Sequence, residues 1–169
     1  MKKILLLIVF AVVATTTLSA QQKSTYQGDV EFEYSIMTNY FPFQKIGIHT
    51  THGIRFNEHF FAGVGTGIET MTPYFFISIP AYLSVTGYIP VTPRVNLFTG
   101  IDLGTSIMID WGGDPVTIWG VLVRPEIGVA FKNKRDRIRT LALGYSYESW
   151  PTPIEDSISA ISLKFGLRF

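Results

Sequence analysis

The side chains able to do chemistry near neutral pH are few, and their spacing limits what they can do. The chain carries three histidines, His49, His52 and His59, and no cysteine. His49 and His52 are three apart, so on a strand they point to opposite faces and cannot share a metal as residues two apart could. His52 has Thr50 two residues away on its own face. That pairs a hydroxyl with an imidazole, where acyl-transfer sites use a serine and add a carboxylate. Gly63-Val64-Gly65-Thr66-Gly67 has glycines spaced as in a phosphate loop, but without the lysine or the following helix. It reads instead as small residues lining a tight space. Asp110-Trp111-Gly112-Gly113-Asp114 offers two carboxylates where calcium takes roughly six to eight oxygens, so an exposed turn is expected. Residues 132–137, Lys-Asn-Lys-Arg-Asp-Arg, form a basic turn suited to solvent or to anionic headgroups. These patterns imply no catalytic residue, no cofactor and no metal. Lack of cysteine also removes a disulfide framework, a thiol nucleophile and a lipoprotein anchor. A net charge of +1 gives no reason to expect a nucleic-acid partner.

The elements that hold these residues alternate with period two, as strands with two different faces do. At the carboxyl end Ile161, Leu163, Phe165, Leu167 and Phe169 alternate with Ser162, Lys164, Gly166 and Arg168. Val30, Phe32, Tyr34 and Ile36 likewise oppose Asp29, Glu31, Glu33 and Ser35, and the same two-faced pattern recurs in six further runs. Eight strands are therefore predicted, with breaks at 39–43, 57–58, 71–73, 90–93, 110–115, 132–137 and 151–156, where Gly, Pro, Asn and Asp gather. The first twenty residues differ from the rest. Met1-Lys2-Lys3 is a positive start, the run from Ile4 to Val13 is apolar, and Leu18-Ser19-Ala20 ends on a small residue. Such a run is too short for the ~20 residues that cross a bilayer as a helix. It reads as a cleaved signal peptide at 1–20, with one domain at 21–169.

An eight-stranded barrel can turn either face outward. A soluble barrel keeps its apolar face inside, whereas a membrane barrel turns that face to lipid. Here the apolar face is nearly unbroken, and the other face is glycine-rich with charges of both signs, which suits a narrow lumen filled by side chains. Only 16% of residues are charged, low for a soluble protein, where roughly a quarter are. Backbone in lipid must pair every N–H and C=O, which a closed sheet does. The fold expected is thus all-β: an eight-stranded antiparallel up-and-down transmembrane barrel with both termini in the periplasm. Tyr26, Tyr40, Phe41, Tyr74, Phe75, Tyr88, Trp111, Trp150 and Phe169 near strand ends suit interfacial girdles. His52 is expected on the lipid face near the outer interface, and His59 in a periplasmic turn.

The inward face should carry a structural charge network of Asp29, Glu31, Glu33, Lys45, Arg55, Glu69, Arg94, Asp102, Arg124, Glu126, Glu148, Lys164 and Arg168. Buried charges need partners. A hairpin centred near Gly113 sets Asp102 opposite Arg124, with Glu148 diagonal on the far side. A turn at Asn57-Glu58 sets Lys45 opposite Glu69. Closing the last strand on the first brings Arg168 toward Asp29 and Lys164 toward Glu31 or Glu33.

With these residues in view, the mature chain resembles the small outer-membrane β-barrel proteins, the OmpA-barrel and OmpX-like superfamily. The most specific element is its end, where Phe165, Gly166, Leu167 and Phe169 resemble the signal read by the barrel-assembly machinery. The resemblance implies the outer membrane of a Gram-negative cell, outer-membrane lipid around a porin-like wall, and passage through the secretory translocon and the assembly machinery. It implies a monomer with a structural or interaction role. The alternatives are a narrow channel or binder of a small hydrophobic molecule, and a lipid A-modifying enzyme built on His52. The short outer loops depart from the long ones usual in such barrels.

Overall fold

The computed structural model describes residues 24–39, 43–72, 76–110, 117–133, 137–149 and 157–169. The signal segment, and Tyr40, Phe41, Tyr74, Phe75, Trp111 and Trp150 of the proposed girdles, lie outside the described residues. Eight strands follow in order: β1 (Thr25–Met37), β2 (Gln44–Arg55), β3 (Phe60–Thr72), β4 (Phe76–Thr92), β5 (Val95–Asp110), β6 (Thr117–Lys132), β7 (Ile138–Ser149) and β8 (Ser157–Arg168). Each pairs antiparallel with the next, and β8 closes onto β1 to make an up-and-down barrel.

The faces are oriented as the alternation requires. On β8, Ala160, Ser162, Lys164, Gly166 and Arg168 are buried, while Ile161, Leu163, Phe165, Leu167 and Phe169 are exposed. Phe165 is 51% exposed and Lys164 2%. In water that arrangement would be perverse. In lipid it gives the wall the apolar surface a bilayer core demands and folds the ionic groups onto one another.

Prolines mark the irregular places. The β3–β4 ladder is interrupted between Thr66↔Ala81 and Glu69↔Ser78, and the β6–β7 ladder between Val123↔Tyr147 and Glu126↔Gly144. These gaps hold Pro80 and Pro125, which have no N–H to donate. The Thr66 hydroxyl donates to the Pro80 carbonyl at 2.9 Å, so a side chain supplies a bond the ladder lacks there. Strand β4 also runs past the break predicted at 90–93. Pro90 stays in register with Asn96, the pairing shifts before Thr92, and the chain reverses at Pro93 and Arg94. β3 similarly continues through Met71 and Thr72, beyond the predicted break at 71.

Candidate functional site

The lumen is built in layers along the strands. At the end where β1 begins and β8 finishes, Phe61, Tyr88, Phe98, Ala130 and Ala142 form an apolar cluster with Ile138 against it. Arg55 lies 4.6 Å over the Tyr88 ring, and Arg168 lies 4.9 Å over Tyr88 and 5.5 Å over Phe98. Arg168 Nε donates to Asp29 at 2.7 Å, the pairing foreseen from closure of β8 on β1. Gln27 donates to Asp29 and to the Tyr88 hydroxyl, each at 3.2 Å.

The middle of the barrel is ionic. Arg124 on β6 places Nη1 2.9 Å from Glu69 and 3.7 Å from Glu33, and Nη2 3.5 Å from Asp102. Its guanidinium lies 4.5 Å over the Tyr82 ring, whose hydroxyl bonds Thr51 at 3.0 Å. Lys45 on β2 donates to Glu148 at 2.5 Å and sits 2.8 Å from Glu69. Lys164 on β8 donates to Glu126 at 2.7 Å and lies 3.9 Å from Glu33. Ser35 donates to Glu33 at 2.7 Å. Each ion lost from water costs several kcal/mol, offset only where it meets several partners at good distance. Glu69 meets that condition, with Lys45 at 2.8 Å and Arg124 at 2.9 Å, whereas Glu33 has Ser35 at 2.7 Å and its cations farther off, at 3.7 and 3.9 Å.

Several expected pairings differ in detail. Asp102 does face Arg124 across the β5–β6 ladder. Lys45, however, lies opposite Met71, and Glu69 lies opposite Gly47, so their ion pair is diagonal by two residues. The cause is a longer β2–β3 connection, with Phe56 bonding Phe60 across the turn. Glu148 turns to Lys45 across the lumen instead of Arg124. Lys164 chooses Glu33 and Glu126, while Glu31 packs its stem over Gly166 and forms no ion pair within 4.0 Å among the described residues. Arg94 is outside the network. It is exposed in the β4–β5 turn because β4 extends to Thr92, and its carbonyl accepts from the Lys132 N–H. Arg55 faces inward at the rim but spends its hydrogens on the carbonyls of Asn57 and Glu58. Tyr88, proposed for a girdle, is buried in the lumen because it shares the parity of Ser84 and Thr86. Tyr26 and Phe169 do face outward.

Sequence reasoning missed His49 as a member of this core. Its Nε2 lies 3.4 Å from both Glu33 and Glu69, and Gly47 and Gly67 leave the room its ring needs. A Cβ on Gly47 would come within 2.8 Å of that nitrogen and 2.9 Å of Glu69 Cγ. Glu33, His49 and Glu69 bring potential ligand atoms within 4.8 Å of one another. Arg124 at 2.9 Å and Lys45 at 2.8 Å from Glu69 already supply the positive charge there, and would repel a metal ion. The inward apolar residues Met37, Phe61, Met71, Phe98, Met108 and Leu122 were also missed. Strand parity alone would have found them.

On the outer wall, His52 Nδ1 is 2.6 Å from the Tyr26 hydroxyl and Nε2 is 2.8 Å from Thr50 Oγ1. The Thr50 hydroxyl donates to the Asp29 carbonyl at 3.1 Å. Every polar atom is satisfied when Tyr26 donates to Nδ1, Nε2–H donates to Thr50, and Thr50 donates to Asp29. Thr50 is then not an activated nucleophile, because its hydrogen points away from the imidazole. The site sits at the terminal end of the barrel, with Phe169 edge-on to His52, and not near the outer interface as expected. β2 descends from the loop side, so residue 52 lies three from the strand's lower end at Arg55. His59 lies in the β2–β3 turn, where its N–H bonds the Asn57 side chain. The basic turn shows Lys132, Asn133 and Arg137 exposed; 134–136, and the 111–116 segment with its candidate calcium turn, lie outside the described residues. The terminal motif occupies the end of β8, where Phe169 and Gly28 exchange backbone bonds of 2.8 and 2.9 Å.

The structure is similar to Neisserial surface protein A, with a TM-score of 0.67 and 13% identity over 87% of this chain and 98% of that one. It is similar to the outer membrane enzyme PagL, with a TM-score of 0.63 and 11% identity over 82% and 97% of the two chains. The N-terminal β-barrel domain of Pseudomonas aeruginosa OprF gives a TM-score of 0.57 and 10% identity over 87% and 100%. No protein-family model matches the sequence, and no curated protein matches it. With its outward-facing apolar wall and its folded-in charges, the chain has the fold of the small eight-stranded barrels of the bacterial outer membrane.

Proposed function

We propose that the protein is a closed, non-conducting barrel with a structural or interaction role and no catalysis. The observation that carries this reading is the continuity of side chains across the lumen. The aromatic cluster, the Arg168–Asp29 pair, the Arg124 and Lys164 networks and the Lys45–Glu148 pair follow one another with both walls engaged. An ion entering would have to displace paired charges at successive depths. Lipid is the solvent of its outer wall, and it acts as a monomer. Phe165, Gly166, Leu167 and Phe169 present the edge that the assembly machinery would read after export through the translocon. PagL is an outer membrane enzyme, and in this chain the Thr50–His52 pair is the candidate for catalysis. The commitment of the Thr50 hydrogen to Asp29 favours the non-catalytic reading.

Planar-bilayer recording tests the proposal. The intact barrel should show no resolved conductance steps, and neutralising Asp102 or Arg124 should introduce leakage. Steady channel openings from the unaltered protein would refute it. Lipid A extracted from cells with and without the protein should give identical mass spectra.

A further inference from the structure

Above the ionic plug, at the end opposite the start of β1 and the finish of β8, the lumen changes character. Met37, Met71 and Ala160 are buried there, with Phe43, Phe76, Met108 and Ile158 packed against them. Met37, Phe43, Met71, Thr72, Phe76, Met108 and Ile158 line a cavity of about 190 Å³. Two residues deeper, the same strands turn polar with Ser35, Glu69, Ser78, Ser106 and Ser162, all buried. The Ser78 and Ser106 hydroxyls meet at 2.5 Å across that floor. The result is an apolar cup on a polar base.

The two ends of the lumen are both apolar but are built differently. At the terminal end, aromatic rings pack tilted against one another and under two arginines, with Tyr88 and Phe98 centroids 6.2 Å apart. At the cup, long thioether side chains leave a void. The chain has four methionines, and all but Met1 line it. Methionine is flexible and polarisable, and adapts its shape to what it contacts. An enclosed apolar cavity of roughly 150 Å³ stays dry and takes up benzene or xenon, because water finds no hydrogen-bond partners there. This cup is open on one side, but its lining likewise offers water almost nothing to bond. A polar or charged guest would lose its hydration without replacement.

We propose that this cup binds a small uncharged apolar molecule about the size of one aromatic ring. The site lies above the plug and does not depend on whether the lumen conducts. Its methionines give a direct test. The full-length barrel is labelled with ¹³C at the methionine methyls, placed in phosphatidylcholine nanodiscs and titrated with benzene. The methyl signals of Met37, Met71 and Met108 should shift along a saturating curve and show nuclear Overhauser contacts to benzene protons. Ile158→Trp, which fills the space, should abolish the saturating response while the unboiled protein keeps its folded gel mobility. If that variant does not fold, Phe43→Trp adds bulk to the cavity from another wall and serves as the same test. Linear shifts without benzene contacts would mean that benzene merely dissolves in the lipid, and would overturn the proposal. So would a saturating response that survives filling of the cavity, or methyl contacts only to other side chains of the protein.

Discussion

Arg124→Met should be among the most costly single changes in the barrel. Methionine keeps much of the stem and removes the charge that Glu69, Asp102 and Glu33 share at 2.9, 3.5 and 3.7 Å. Lys45 stays 2.8 Å from Glu69, but Asp102 has no other cation within 4.0 Å among the described residues. Removing one partner of a buried ion pair costs about 3–5 kcal/mol, because the remaining charge is left in a poorly hydrated space. The lost contact with the Tyr82 ring adds to this, at about 0.5–2 kcal/mol. The assay is equilibrium urea unfolding in phosphatidylcholine vesicles, followed by tryptophan fluorescence and by gel mobility. A double-mutant cycle with Glu69→Gln isolates the pair, and its coupling should reach about 1–3 kcal/mol. A loss below about 1 kcal/mol for Arg124→Met, or strict additivity in the cycle, would show that this guanidinium does not organise the lumen.

Two further changes probe other parts of the wall. Gly47→Val drives a side chain into His49 and Glu69, and should destabilise the barrel by about 1–3 kcal/mol in the same vesicle assay, as overpacking does. Phe169→Ala leaves intact the backbone bonds between Phe169 and Gly28. The folded barrel should therefore keep nearly its full urea stability, while accumulation in the outer membrane of expressing cells falls. Equal effects on both measures would remove the assembly role.

The strand count and the orientation of the faces were legible because period-two alternation is a local property. Ile161 to Phe169 and Val30 to Ile36 each declare their faces without help from neighbours. Asp102 with Arg124, and Asp29 with Arg168, were also legible, since each pair follows from one hairpin or from closure. What failed depended on turn length or on reach across the lumen. The β2–β3 connection is longer than two residues, which slides Lys45 past Glu69. Glu148 meets Lys45 from strands not adjacent in the sheet, which no hairpin count reveals. Arg94 failed because Pro90 was read as a break, although the strand continues through it. The apolar caps at both ends of the lumen were hidden by the assumption that every inward residue is small or ionic. Phe61, Phe98, Met37 and Met71 have inward parity and large apolar side chains.

Spin labelling reads directly which side chains meet lipid. The chain has no cysteine, so single cysteines introduced from residue 161 to 167 carry the only label. In lipid vesicles, labels at 161, 163, 165 and 167 should collide freely with oxygen dissolved in the bilayer, and those at 162 and 166 should be shielded from both oxygen and a water-soluble nickel complex. Even-numbered labels open to lipid, or odd-numbered ones open to the nickel complex along the whole strand, would contradict an apolar face turned to lipid.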